Sequence, residues 1–492
     1  MSAEFEAFIG LEVHCQLATE SKIFCSCPTM SGRGISVSAL PVNALVCEVC
    51  SGQPGALPTL NSQAVRFAIR SGLALGSEIQ QSSIFSRKNY FYPDLPKGYQ
   101  ISQNETAICL GGFVEIERED GSMKKVALRR IHLEEDAGKS VHEFGVTLVN
   151  LNRSGVPLVE IVGEPELRTP EEAGNYLREL HAIVTAIGVT DGNMQEGNFR
   201  CDANVSVRPK GSSVLGTRVE IKNVNSFRFV EKAIAFEIQR QIAVLASGKA
   251  VIQETRLYDS QRDHTVSMRI KEEAEDYRYF PDPDLLPLKF PVAWVQEERD
   301  RLPELPAQKR SRYQTDFGLS RADSRQMSAS QAISEIFEAT VSLLKGLPGG
   351  AKWVANLLSG EVSRLLQESE LSLTQSPLKA QHLADLGALA LSGELSSTAT
   401  KKILHEVWRT GESVGALVER LGLRQQNDAS ELEPLVETIL KEQPQATEEL
   451  RSGKLKVLGF LVGMVMKRSA GRGNPELIRS LIERTLDLKK DA

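Results

Sequence analysis

The amino-acid sequence predicts an α+β protein: a largely antiparallel β-sheet region with flanking helices, then an all-α region and a small α-helical tail. Three observations predict it. Up to about residue 290 polar and apolar residues alternate with a period of two, as in Phe8–Leu17 and Gly197–Arg208. Residues 281–306 then hold six prolines in 26 residues, the density of a linker. Beyond them there is no cysteine, and apolar residues recur at helical spacing, as in Ile333, Ile336 and Phe337 or Leu383, Leu386 and Leu389. The expected domains are 1–292, with a metal-binding insertion at 25–50, then 293–412 and 413–492.

The chain's 492 residues, 41% hydrophobic and 25% charged, suffice for two or three folded domains. A net charge of −6 excludes a globally basic nucleic-acid binder, so any such contact needs a local patch. Seven cysteines without a basic and apolar leader argue against a disulfide framework. The longest apolar stretch, Leu458–Met466, is too short to cross a bilayer and reads as a buried helix. A soluble, cytoplasmic protein is expected.

The first strand places Leu11, Val13, Cys15 and Leu17 on one face and Glu12, His14 and Gln16 on the other. Cys25-Ser-Cys27 and Cys47-Glu-Val-Cys50, paired across a turn-rich loop, can bring four thiolates to one tetrahedral point, which suits structural zinc. Residues 84–102 interleave Arg87, Lys88 and Lys97 with three of the eight tyrosines; by itself this reads as an aromatic loop packed on a sheet. Strand-like runs 126–133 and 156–162 then flank an acidic loop, Glu134, Glu135 and Asp136. Three adjacent carboxylates are usually solvated, but Glu160 lies in the apolar run Val156–Val162, where an unpartnered carboxylate costs on the order of 2–5 kcal/mol. That points to a bound cation.

A helix capped at Thr169-Pro170-Glu171-Glu172 runs to about Ile187 and stops at Gly188. The hairpin that follows carries Asp202, Asn204, Ser206 and Arg208 on one face, and Arg218, Glu220 and Lys222 on the returning strand. Glu12, His14, Glu160, Asp202 and Glu220, with one of the acidic triplet, form an oxygen-rich set with one imidazole, suited to magnesium or manganese. Alternation does not choose among Glu134, Glu135 and Asp136. Residues 200–232 hold seven Arg or Lys against three Asp or Glu, cations suited to phosphate oxygens. Gly138-Lys139-Ser140 imitates the end of a P-loop, but Leu133 stands where the first glycine belongs. Near the end, Lys467, Arg468 and Arg472 sit in a basic, glycine-containing turn between helices, a phosphate grip or a solvated turn.

Gly10-Leu-Glu-Val-His14, Arg87-Lys-Asn-Tyr-Phe-Tyr-Pro-Asp94, His132-Leu-Glu-Glu-Asp-Ala-Gly-Lys139, Arg200-Cys-Asp-Ala-Asn204 and Asp276-Tyr-Arg-Tyr-Phe-Pro281 together resemble the B-subunit family of bacterial glutamyl-tRNA(Gln)/aspartyl-tRNA(Asn) amidotransferases. Gly459-Phe-Leu-Val-Gly463 extends the resemblance into the tail. It implies an N-terminal cradle that uses ATP and Mg²⁺ to phosphorylate the side-chain carboxylate of Glu or Asp misacylated onto tRNA. Ammonia released from glutamine by a separate amidase, the A component of a heterotrimer, then displaces phosphate. A small third component, C, braces the amidase against the cradle protein, and the helical and tail domains hold the tRNA.

Carried over by the resemblance, the metal and phosphoryl-transfer positions are Glu12, His14, Glu135, Glu160, Asp202 and Glu220. Substrate contacts are expected at Lys88, Tyr90, Tyr92, Arg200, Arg208, Lys222, Tyr277 and Arg278, and tRNA contacts at Lys467, Arg468 and Arg472. The cysteine quartet is absent from some members, so zinc at Cys25, Cys27, Cys47 and Cys50 rests on spacing alone. The alternatives are a non-catalytic, zinc-containing tRNA-binding adaptor and a metal-dependent hydrolase of small phosphorylated substrates.

Overall fold

The computed structural model describes residues 4–30, 40–143, 145–270, 277–369, 371–424, 429–469 and 473–487. The chain divides into two compact units, residues 1–306 and 307–492.

The first unit is built on strand β1 (Phe5–Gln16) at the middle of a ten-stranded sheet. Helix α1 (Ser62–Ala74) follows, then β2 (Met123–Glu135), β3 (Pro157–Gly163), helix α2 (Pro170–Ala186), β4 (Phe199–Pro209), β5 (Val219–Val224), helix α3 (Phe227–Ala246), β6 (Glu254–Asp259) and β7 (His264–Ile270). β1 pairs with β3 on one side and β4 on the other. Beyond β4 lie β5, β6 and β7; beyond β3 lie β2 and three short strands. Pairing is antiparallel except between β5 and β6.

The alternation read from the sequence sorts the two faces. Leu11, Val13 and Cys15 of β1 join Ile131 and Leu133 of β2, Val159 and Ile161 of β3, and Ala203 and Val205 of β4 in one buried cluster with the apolar sides of α1, α2 and α3. Each helix starts where its sequence offers a cap: the side chains of Asn61, Thr169 and Ser226 accept from Gln63, Glu172 and Phe229 backbone N–H groups. Gly188, just past α2, has φ +68°, the left-handed conformation glycine adopts without strain. With helices on the apolar face, the opposite face keeps its polar side chains.

Glu134 and Glu135 are not in a loop. They are the last residues of β2, facing Leu158 and Pro157 of β3. The strand continues past its apolar stretch because both carboxylates find partners in neighbouring segments.

Helix Val292–Asp300 belongs to the first unit. Arg66 and Arg70 of α1 pair with its Glu298, Arg66 also with Glu297, and the Arg66 guanidinium lies 4.2 Å over the Trp294 ring. The expected domain boundary at 292/293 thus falls one residue into a helix that packs on the sheet unit. In the second unit one apolar cluster runs from Tyr313 to Val418 and includes Val414 and Leu417, and another runs from Leu432 to Ile482. No helix among the described residues is long and apolar enough to cross a membrane.

Candidate functional site

Strand register assembles the polar face. His132 of β2 is opposite Glu160 of β3, Glu160 is opposite His14 of β1, and His14 is opposite Arg200 of β4. In the next rung on this face Glu12 faces Asp202, and one rung further Asn204, opposite Gly10, faces Glu220 of β5. Five strands therefore align carboxylates, imidazoles and cations on one face.

At one end His132 lies between two carboxylates, its Nε2 3.2 Å from Glu134 Oε1 and 3.3 Å from Glu160 Oε2, while His14 Nε2 stands 3.5 Å from Glu160 Oε2. Ser102 Oγ and Gln100 Nε2 donate to Glu134 at 2.7 and 3.1 Å. Burial pushes the Glu160 carboxyl upward, but His132 and His14 outweigh it and hold it well below the ordinary range. Burial likewise opposes charge on His132, yet Glu160 and Glu134 raise it to about 9. Lys88 is raised too, because Glu134, Tyr279 and Glu160 outweigh its desolvation.

At the other end Asn204 Nδ2 donates to Glu12 at 2.9 Å, and Lys222 Nζ bridges Asp202 at 2.5 Å and Glu220 at 3.0 Å. Glu12 is raised, chiefly by burial and then by Glu160 and Asp202. Beside the first rung, Asp136 accepts from Gln16 and Arg200, both at 2.8 Å, with Arg153 Nε at 3.5 Å.

His14, Glu134 and Glu160 offer ligand atoms within 4.8 Å of one another. Cis ligands of an octahedral hard cation lie about 3 Å apart at metal–oxygen distances of about 2.1 Å, so small side-chain adjustments fit this set to such an ion. Glu135 was the expected member of the acidic triplet, and it turns the other way. It pairs with Lys97 and accepts from the Ile101 backbone N–H at 2.8 Å, because successive side chains of β2 leave opposite faces. Read from the sequence, the ligand face omits His132 and leaves Glu134 level with Glu135 and Asp136. The signal was present: His132 and Glu134 share a strand face by the period of two.

Among the expected substrate contacts, Lys88 lies 4.9 Å from the Tyr277 ring, and Tyr92, Tyr90, Tyr277 and Tyr279 form a file of edge-on rings at 6.0–6.1 Å. Asn89 ties this file together, its backbone N–H donating to the Tyr277 carbonyl and its side chain to that of Arg278. Arg200 and Lys222 stand in the polar face. Arg208 does not join them: it is bound to Glu6 at 2.7 Å and lies 4.2 Å over the Phe8 ring, about 20 Å along β4 from Asp202.

The sulfurs of Cys25, Cys27, Cys47 and Cys50 come within 4.8 Å of one another. Tetrahedral zinc with Zn–S of about 2.3 Å spaces its sulfurs about 3.8 Å apart, and Cys47 Sγ lies 3.9 Å from Cys50 Sγ. The set fits zinc. The Cys50 thiol is drawn down to about 4 by the hydrogen bond from Cys25, helped by the Cys47 backbone and the Lys22 ammonium. In the tail, Arg468 forms two bonds to Glu442, Lys467 is exposed, and Arg472 lies outside the described residues.

Family models described as "GatB/GatE catalytic domain" and "GatB domain" match residues 7–296 and 335–486. The B subunit of the aspartyl/glutamyl-tRNA(Asn/Gln) amidotransferase from Thioalkalivibrio sulfidiphilus is 48% identical over 485 residues, 98% of this chain and 100% of that protein. The protein of the same name from Halorhodospira halophila is 48% identical over 486 residues, 98% and 99% of the two chains. That from Anaeromyxobacter sp. strain K is 50% identical over 487 residues, with the same coverage.

Proposed function

The chain belongs to the GatB family, the B subunits of aspartyl/glutamyl-tRNA amidotransferases, and on that premise we propose that the polar face of its sheet activates a carboxylate borne on tRNA. The family's reaction is a glutamine-dependent ligation that forms a carbon–nitrogen bond. The substrates are Glu-tRNA(Gln), Asp-tRNA(Asn) or both, according to the host's synthetases. The products are Gln-tRNA(Gln) and Asn-tRNA(Asn).

Ammonia does not displace oxide from a carboxylate, so the side chain must first become an acyl phosphate. A carboxylate oxygen attacks the γ-phosphorus of ATP and the bond to the β,γ-bridging oxygen breaks, releasing ADP. Ammonia then attacks the acyl carbon, the C–O bond to phosphate breaks, and inorganic phosphate and a proton leave. The single observation that carries this reading is the row of carboxylates and imidazoles beside Lys88, Arg200 and Lys222, inside the matched catalytic segment.

Glu12, His14, Glu134, Glu160, Asp202 and Glu220 would hold Mg²⁺, which supplies charge neutralisation of the transferring phosphoryl group. Lys88, Arg200 and Lys222 hold phosphate oxygens, and the tyrosine file lines the approach of the tRNA 3′ end. The cysteine quartet holds structural zinc. The ammonia comes from a partner amidase, held in place by the small third component of the heterotrimer. In this proposal residues 307–492 supply the helical and tail domains that contact the tRNA body.

Glu160→Gln and Asp202→Asn in the assembled enzyme test the assignment. Each should abolish ADP release dependent on Mg²⁺ and aminoacyl-tRNA, with glutamine hydrolysis still measurable. Full transamidation by either variant would place the chemistry elsewhere, and a wild-type enzyme that releases no ADP would leave the adaptor reading.

A further inference from the structure

Lys22 is completely buried, and its ammonium is not paired with any carboxylate among the described residues. Its three donors meet the Leu45 carbonyl at 2.7 Å, Cys50 Sγ at 3.4 Å and the Leu151 carbonyl at 3.4 Å. A lysine charge taken out of water costs several kcal/mol unless an anion compensates it. Four thiolates around a divalent ion carry a net charge of −2, so the cysteine cluster is the anion at hand.

The three acceptors belong to two parts of the chain. Leu45 and Cys50 lie in the cysteine loop, whereas Leu151 begins the segment that leads into β3. Other contacts reinforce that join: Ser154 Oγ donates to the Cys50 carbonyl, and the Ile23 backbone N–H to the Gly155 carbonyl, both at 2.9 Å. Gly155 holds φ at +79°, a conformation that favours glycine, and a Cβ there would stand 3.4 Å from Cys50 Cβ and 3.6 Å from Lys22 Cδ. The same segment reaches the polar face. The Gly155 N–H donates to the Asp136 carbonyl at 2.9 Å, and Arg153 donates to the Ala137 and Gly138 carbonyls.

We propose that Lys22 is a positioning residue that couples the cysteine cluster to residues 150–156, neutralising part of the cluster's charge while it holds the Leu151 carbonyl. The proposal rests on the zinc reading of the quartet. Loading the cluster then sets the position of Arg153, Asp136 and the start of β3.

Zinc release to a chromogenic chelator and amide hydrogen exchange test this on the full enzyme, with Lys22→Met and Lys22→Arg. Lys22→Met should release zinc about tenfold faster or more, as expected for loss of a charge-assisted hydrogen bond. Its exchange at 150–156 should rise toward that of wild-type enzyme stripped of zinc, and Lys22→Arg should recover zinc retention at least in part. Wild-type release and exchange in Lys22→Met would overturn the proposal. So would unchanged exchange at 150–156 after stripping zinc from wild-type enzyme, a measurement that needs no variant to fold. A wild-type enzyme that contains no zinc sinks the zinc reading itself, a separate result from zinc that is present but indifferent to Lys22.

Discussion

His132 shows how one buried side chain links acidity to stability. Its imidazole is 2% exposed between Glu134 and Glu160, and those carboxylates, against the opposing effect of burial, lift it to about 9. A histidine raised on folding contributes stability that is complete below its unfolded value near 6.5 and lost as pH rises through the folded value. Metal-free protein should therefore lose stability between about pH 6.5 and 9, on the order of 2–3 kcal/mol from this group. His14, also raised by Glu160, adds to the slope in the same direction. Denaturant midpoints measured with a chelator across that range should fall, and His132→Gln should flatten the fall. An equally steep fall in the variant would show that His132 is not the proton acceptor. Glu160 behaves oppositely: held well below the carboxylate range, it contributes stability that persists above about pH 4.5 and is lost on further acidification.

At the scale of elements, the period of two in β2 separates neighbours that the composition cannot distinguish. Glu134 shares a face with His132 and Glu160, whereas Glu135 lies on the other with Lys97. Glu134→Gln should therefore abolish tRNA-dependent ADP release in protein that still folds, with some loss of stability because it also removes one partner of the buried His132. Glu135→Gln leaves a half-buried lysine unpaired and should lower stability by about 3–5 kcal/mol while the folded fraction stays active. Reversed phenotypes would return the ligand role to Glu135. The sheet was legible because each strand alternates cleanly, and the caps at Thr169 and the stop at Gly188 bound α2 where they were read. The end of β2 was not, because what extends it is the tertiary partners of Glu134 and Glu135, which a local pattern does not contain. Arg208 shows the complementary limit. Alternation gives its face but not its distance along the strand, and Glu6 and Phe8 hold it far from Asp202. The period of two places His132 on the face of Glu134, but that it stands opposite Glu160 becomes visible only when β2 and β3 are paired.

At the scale of the molecule, the two apolar clusters of residues 307–492 decide where the proposed tRNA-binding tail can be removed. Val414, Leu417 and Val418 are buried with the helices that precede them, whereas the last cluster begins at Leu432. A chain ending near residue 412 strips three side chains from a core, each worth about 1.5–3 kcal/mol, and confounds binding with unfolding. A chain ending at Arg424 keeps that core. If the tail supplies backbone contacts to tRNA, this truncation should raise KM for aminoacyl-tRNA and leave KM for ATP unchanged, because the nucleotide is assigned to the sheet. Lys467, exposed at the end of helix Lys456–Arg468, is free to meet a phosphate, whereas Arg468 must first leave Glu442. Lys467→Ala should therefore reduce the salt slope of tRNA binding by roughly 1, and Arg468→Ala by less. Binding titrations from low to moderate salt measure both. Unchanged affinity in the 424 truncation would assign tRNA recognition to residues 1–424 and make the basic turn a solvated connection between two helices.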